Sequence, residues 1–311
     1  MSTANMNTGQ VRVVDPVLST VAHGYVSPDF VGGILFPFVD VDISGGKVLT
    51  FGKEAFQQYS LRRAPGADTP RVSFGYQGAP YSLVQDAIEV PVPREHQRDA
   101  SVMPGIDLGT RAVNFGMRIV MQALEVDRAA IALNAANYDN DHKVALTSGD
   151  KWSAETGTPS ADIDTAKEAV RASTGMIANT VLLSAVAFNA ARNNANVLER
   201  FKYTSSDSVT ADMLAKLWDV ERVVVGRAIS ADDAGAFSDI WGNNAVVAYV
   251  PASPAGMEQP SYGYTYRMRG HPAVEQAYWD QRSKSWIYGV TMERAPVLTG
   301  MAAGYLIQNP N

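Results

Sequence analysis

Residues 106–137 read IDLGTRAVNFGMRIVMQALEVDRAAIALNAAN, and this run decides the fold. Val113, Met117, Val120, Leu124 and Ile131 follow three- and four-residue spacing, the pattern of one buried helical face. Asp107, after Pro104-Gly105, supplies an N-cap or a first-turn acid. Gly109 and Gly116 lower helix propensity but permit close packing. About thirty residues at about 1.5 Å each make a helix of roughly 45 Å. That exceeds the usual globular helix and predicts a structural spine, stopping near the turn-rich Asn137 to Asp141.

Upstream, residues 11–43 read as mostly extended, with a short helix over Pro16 to His23. Gly32-Gly33 is a turn signal before the apolar strand Leu35-Phe36-Pro37-Phe38-Val39. Residues 44–93 predict a long two-stranded excursion. Ser44-Gly45-Gly46 opens it as a turn, Lys47 to Gly52 is its outward strand, and Val72–Tyr76 and Tyr81–Val92 return. Its tip, Arg62 to Asp68, is polar and punctuated by Pro65 and Gly66. Such a hairpin is marginal in water, so a neighbouring subunit is the simplest thing to hold it.

Downstream, residues 161–260 alternate helix and strand. Helices are expected at Asp162–Ser173, closed by Gly175, at Val186–Phe201, and at Thr210–Trp218 with Thr210 as cap. Strands are expected at Thr180–Ser184, Glu221–Ile229 and Ala245–Val250. Helices on a small sheet imply an α+β unit. Residues 261–308 read as β, with a hairpin of Ala273–Trp279 and Trp286–Glu293 around a charged tip, and a last strand at Gly304–Ile307.

Composition narrows the function. The 311 residues are 46% hydrophobic and 19% charged, an ordinary globular balance. A net charge of −6 is not that of a basic nucleic-acid binder. With no cysteine, disulfides, thiolate zinc sites and cysteine nucleophiles are excluded, and the chain suits a reducing cytoplasm. Met1 to Gln10 is polar and lacks a secretory pattern. Ala172 to Ala191 is uncharged, but its Ser, Thr, Asn and Gly residues suit a helix end, turn, buried strand and next helix rather than a membrane span.

No chemical motif assembles. The four histidines, His23, His96, His142 and His271, show no metal-ligand spacing, and His96 lies in a charged run, Arg94 to Asp99, read as a solvated turn. No Gly-x-Ser-x-Gly elbow appears, though triad members can lie far apart in sequence. Five residues separate Gly46 from Gly52-Lys53 where a phosphate loop needs four, and Glu54 stands where it needs Ser or Thr. Asp139-Asn140-Asp141 opens like a calcium loop without its Gly and distal Glu, and reads as a solvated turn. No catalytic residue, metal ligand or cofactor is assigned. Arg62, Arg63 and Arg71 can meet nucleic acid or an acidic protein surface, and the negative net charge favours a protein neighbour.

Several segments, in order, resemble the tailed-bacteriophage major capsid protein family, the Hong Kong 97-type fold. They are Asp15-Pro16-Val17-Leu18 with Ala22-His23-Gly24-Tyr25, Leu35 to Val39 with Gly45-Gly46-Lys47, and Phe51 to Phe56. Arg63-Ala64-Pro65-Gly66-Ala67, Thr174-Gly175 with Asn179 to Ser184, Val223 to Ala228, and Ala303 to Ile307 continue the match. The resemblance implies an α+β subunit with an N-terminal arm (1–43), an extended loop (44–93), a peripheral domain with the spine helix (94–160), an axial domain (161–260) and a return to the peripheral domain (261–311).

It also implies the work: self-assembly into hexamers and pentamers of an icosahedral shell around double-stranded DNA, with no enzymatic activity. The implied partners are other copies of the chain, a separate scaffold protein, a portal protein at one vertex and packaged DNA bound without sequence specificity; a decoration protein is left open by the sequence, and no membrane is involved. The implied location is the virion, after assembly in the host bacterial cytoplasm. Inter-subunit contacts are expected from Lys53, Arg62, Arg63 and Arg71 on the loop, and from Asp280, Arg282 and Lys284 at the hairpin tip. No asparagine and acid can be matched to Lys47 or Lys53, so no crosslink is expected. An encapsulin-like compartment and a soluble α+β enzyme are the competing readings.

Overall fold

The fold comes from a computed structural model that describes residues 15–23, 30–47, 62, 80–101, 107–201, 209–252 and 261–311. The arm holds helix α1 (Pro16–His23), one helical turn α2 (Gly32–Leu35) and strand β1 (Phe38–Val41). The base of the excursion is β2 (Gly45–Lys47) paired with β3 (Pro80–Ser82); β4 (Val84–Pro93) and α3 (Arg94–Ser101) follow. Then come α4 (Leu108–Leu133), β5 (Lys143–Ala145), α5 (Pro159–Thr174), β6 (Thr180–Ser184), α6 (Ala185–Asn193), α7 (Ala195–Phe201) and α8 (Ala211–Leu217). The chain closes with β7 (Arg222–Gly226), β8 (Ile229–Ala231), β9 (Phe237–Asp239), β10 (Asn244–Ala248), β11 (Gly263–Met268), β12 (Ala273–Val274), β13 (Tyr278–Asp280), β14 (Ser285–Leu298) and β15 (Gly304–Gln308).

The long helix forms as its spacing predicts. Asp107 caps α4 by accepting a 2.9 Å hydrogen bond from the Gly109 N–H. Val113, Met117, Val120 and Leu124 are buried against Tyr288, Val290 and Met292 of β14. Gly116 allows that approach, since a Cβ there would sit 3.1 Å from Val290 Cγ2. The helix ends at Leu133, earlier than expected, where Asn134 turns the chain and accepts from the Ala136 N–H.

Two sheets flank this helix. The six-stranded sheet is centred on β14, which pairs with β11, β12, β13 and all ten residues of β4. The five-stranded sheet runs β5-β15-β10-β6-β7. Its side chains alternate by the period-two rule of strands. Val181, Leu183, Ala245, Val247, Tyr305 and Ile307 face the helices α5 to α8. Leu182, Val246, Ala248 and Leu306 face the other way, onto Ala129 and Ala132 of α4 and Phe36 of the arm. The uncharged stretch 172–191 is helix end, turn, buried strand and helix start, as read. Among the described residues no helix is long and apolar enough to cross a membrane.

Several expectations are corrected. Gly32-Gly33 form a helical turn, because Glu125 accepts from the N–H groups of Val31 and Gly32 and holds them inward. Gly45-Gly46 lie in strand rather than turn, with Gly46 under the Tyr81 ring, where a Cβ would sit 2.8 Å from Tyr81 Cε1. Arg94 to Asp99 are helical, though exposed as expected of a solvated run. The helix expected over 186–201 breaks at Asn194, whose amide donates to Trp152 O (2.8 Å) and Gly157 O (3.1 Å). The last strand does not join the sheet on α4 with the rest of 261–311. Apolar on both faces, β15 needs a sheet covered on both sides, and it pairs with β10 and β5. Residues 143–145 likewise join that sheet, although the expected boundary placed them before residue 160. The outward strand 48–52, the return strand Val72–Tyr76 and most of the loop tip lie outside the described residues.

Candidate assembly surfaces

The arm is fastened by charges buried in α4. Glu125, fully buried, accepts from Val31 N–H and Gly32 N–H at 2.9 Å and from Trp241 Nε1 at 2.9 Å. One turn on, Arg128 donates to Thr265 Oγ1 (3.1 Å) and Phe36 O (3.2 Å) and lies 4.8 Å from the Phe38 ring centroid. Burial pulls the Arg128 guanidinium down to about 9 against the opposing pull of Glu125, so it stays charged at neutral pH. Arg294 of β14 bridges Asp127 of α4 (2.8 Å) and Asp86 of β4 (2.6 Å). These groups join the arm, the six-stranded sheet and the β9–β10 connection to α4. The sequence reading passed over them; the signal available was that Arg128 interrupts the apolar series between Leu124 and Ile131.

One triad-like constellation needs a chemical reading. His142 Nδ1 lies 2.7 Å from Asp139 Oδ1, and its Nε2 lies 2.9 Å from Ser173 Oγ. Ser173 Oγ also lies within 2.8 to 3.1 Å of the carbonyl oxygens of Ala169, Val170 and Ala302. Three carbonyl dipoles point their negative ends at that oxygen, the reverse of an oxyanion hole. The arrangement instead ties the turn after α4 to the end of α5 and to the segment before β15. Asp139 serves this clasp, and among the described residues no cluster of three or more metal-ligating groups occurs.

The predicted contact residues divide. Arg62 is exposed; Lys53, Arg63 and Arg71 lie outside the described residues. The base of the loop is anchored where Tyr81 of β3 stacks on Tyr266 of β11, with ring centroids 4.4 Å apart. At the other expected surface, Asp280 closes the β13–β14 turn by accepting from Arg282 N–H (3.0 Å), Ser283 N–H (3.1 Å) and Ser283 Oγ (2.6 Å). The Ser283 hydroxyl, with the two backbone donors, holds the Asp280 carboxyl below its usual range. Arg282 and Lys284 are exposed at the tip.

A further surface escaped the sequence reading. Phe115, Ile119 and Val126 are exposed along one side of α4, opposite its buried face. With Gln122 they follow i, i+4, i+7, i+11 spacing, a second helical stripe that was legible in principle. Phe115 opens onto a groove of about 490 Å³ between β4, α3 and α4. Gln122 Nε2 donates to Ile229 O (3.4 Å), so the β8–β9 hairpin is attached beside the stripe, and its Ile229 and Phe237 are 50% and 73% exposed. Exposed apolar surface of this kind marks an interaction face.

Comparison with known proteins agrees with this surface-rich, motif-poor anatomy. Residues 136–260 match the family described as Phage major capsid protein E. The chain is 35% identical over 307 residues to the major capsid protein of Burkholderia phage BcepMu, covering 97% of this chain and 98% of that protein. It superposes with a TM-score of 0.84 and 50% identity on the crystal structure of a phage-related protein from Bordetella bronchiseptica RB50, covering 97% of this chain and 98% of that one. The holo-SrpI encapsulin complex from Synechococcus elongatus PCC 7942 shares the fold alone, at TM-score 0.53 and 14% identity over 99% of this chain and 92% of that one. An end-to-end match to a named major capsid protein, on a mixed α+β frame shared with such shells, is decisive: the chain belongs to the phage major capsid protein family, with the Hong Kong 97-type fold.

Proposed function

We propose that this chain closes, as hexamers and pentamers, into the icosahedral shell of a tailed-phage head around double-stranded DNA, and that it catalyses nothing. The observation that carries this is the 35% identity to a phage major capsid protein across nearly the whole of both chains. In this reading the sheet on α4 forms the peripheral domain and the five-stranded sheet the axial domain, gathered around the shell's symmetry axes. The loop, whose described base is only a two-stranded ribbon, crosses onto a neighbour, with Lys53, Arg62, Arg63 and Arg71 making the contact. Asp280 shapes the second tip, and Arg282 and Lys284 touch another copy.

The net charge of −6 leaves neutralisation of packaged phosphates to counterions. A separate scaffold protein guides assembly in the host bacterial cytoplasm, and a portal protein occupies one vertex. The test is electron microscopy of the purified, recombinantly expressed chain, with and without a candidate scaffold. Closed hollow particles are expected. Discrete dimers or tetramers in every condition overturn the reading, and an enzyme sealed inside instead of DNA replaces it with a compartment shell.

A further inference from the structure

The β8–β9 hairpin stands out from the body with little of its own to bury. Residues 229–239 hold Asp232, Asp233 and Asp239 and no Lys or Arg. Among the described residues none of the three aspartates forms an ion pair, and nearly every residue of the hairpin is exposed. The register pairs Ile229 with Asp239 and Ala231 with Phe237. Residues paired across strands share a face. One face therefore carries Ile229, Phe237 and a carboxylate together, and the Gln122–Ile229 bond ties the hairpin to α4 beside the exposed Ile119 and Val126. A two-stranded ribbon of this kind is marginal unless something covers it.

The chain contains a segment of opposite character. Residues 44–79 carry five cations, Lys47, Lys53, Arg62, Arg63 and Arg71, against two acids, Glu54 and Asp68, within a chain of net charge −6. Beside the arginine pair stand Tyr59 and Leu61, apolar groups next to charge, as on the hairpin. Arg62 is exposed and pairs with no described acid. We propose that Arg62 and Arg63 of one copy's loop, with Arg71, seat against Asp232, Asp233 and Asp239 on the β8–β9 hairpin of a neighbouring copy. This rests on the loop being an inter-subunit contact and names the surface that receives it. An exposed ion pair contributes little singly, so the contact draws on three charges per side and the apolar strip beneath them.

The experiment is charge reversal and exchange in the full chain, under conditions where the unaltered chain closes shells, read by sedimentation and electron microscopy. R62E/R63E/R71E is expected to lose closed shells, D232K/D233K/D239K to lose them too, and the six-fold exchange to regain them. Normal shells from the loop variant overturn the loop reading itself. Lost shells from the loop variant with normal shells from the hairpin variant, or no recovery on exchange, leave the loop reading standing and overturn this acceptor. The melting temperature of each unassembled chain separates contacts within one copy from contacts between copies. A fall in the single variants that the exchange reverses assigns the pairing to one chain and overturns the proposal. If the lysine variant does not fold, D232N/D233N/D239N is expected to fold and lower shell yield; an unchanged yield counts against the proposal.

Discussion

Trp241 donates its indole N–H to Glu125 Oε1 at 2.9 Å, joining the connection between β9 and β10 to the middle of α4. The same carboxylate receives the arm, so one side chain secures three segments far apart in sequence. Replacing a carboxylate that accepts from three buried donors leaves at least one N–H without a partner. Glu125→Gln is expected to destabilise the unassembled chain by about 1–3 kcal/mol. Glu125→Ala also strips the buried Arg128 of its counter-charge and is expected to cost about 3–5 kcal/mol. Urea unfolding measures both, and equal stability of the Gln variant refutes the account.

Gly226 ends β7 directly beneath Trp241, where a Cβ would lie 2.3 Å from the indole Cδ1. The fully buried indole has little room to retreat. Gly226→Ala is expected to lose about 1–3 kcal/mol by overpacking, with a red-shifted tryptophan emission as Trp241 leaves Glu125. A variant with native emission and melting temperature contradicts this.

Asp139 titrates against its clasp. Burial pushes its carboxyl up, but the hydrogen bond and charge of His142, with the N–H groups of Asp141 and His142, prevail and hold it below its ordinary 3.8. A carboxyl lowered on folding adds stability above its unfolded value, and that increment is lost as pH falls through the folded value. Wild type is therefore expected to exceed Asp139→Asn in stability near neutrality, with the gap closing as acid takes the pH below 3.8. Thermal melts across that range test it; a gap independent of pH rules out the carboxylate as its source.

Lys284 holds a left-handed backbone, φ 50°, at the β13–β14 tip. Asn tolerates that conformation and removes the charge. Arg282→Ala with Lys284→Asn is expected to leave the melting temperature of the unassembled chain unchanged and to reduce shell yield. Undiminished shells remove this tip from the list of contacts.

Local elements were legible because their causes are local. The α4 stripe, its Asp107 cap, the Gly175 close of α5 at φ 70° and the Thr210 cap of α8 each depend on residues within a few positions. The break at Asn194 was not legible, because its amide is held by carbonyls about forty residues upstream. The two inward charges of α4 left one trace, Arg128 within the apolar series, but hydropathy puts Glu and Arg outside, and only their distant partners make them tolerable within.

The sequence by itself determined the class of the protein. Segments from Asp15 to Ile307 that resemble the phage major capsid family, in the same order, identified that class, while spacing, caps and turn residues supplied the long helix and the other local elements. Only the tertiary structure decided which strands share a sheet, why Gly226 must lack a side chain, and that the β8–β9 hairpin with exposed Ile229 and Phe237 is tied to α4 beside Ile119 and Val126. Those properties arise from contacts between residues tens to hundreds of positions apart. Strand pairing and side-chain approach are set by the packing of whole elements, which no local pattern encodes.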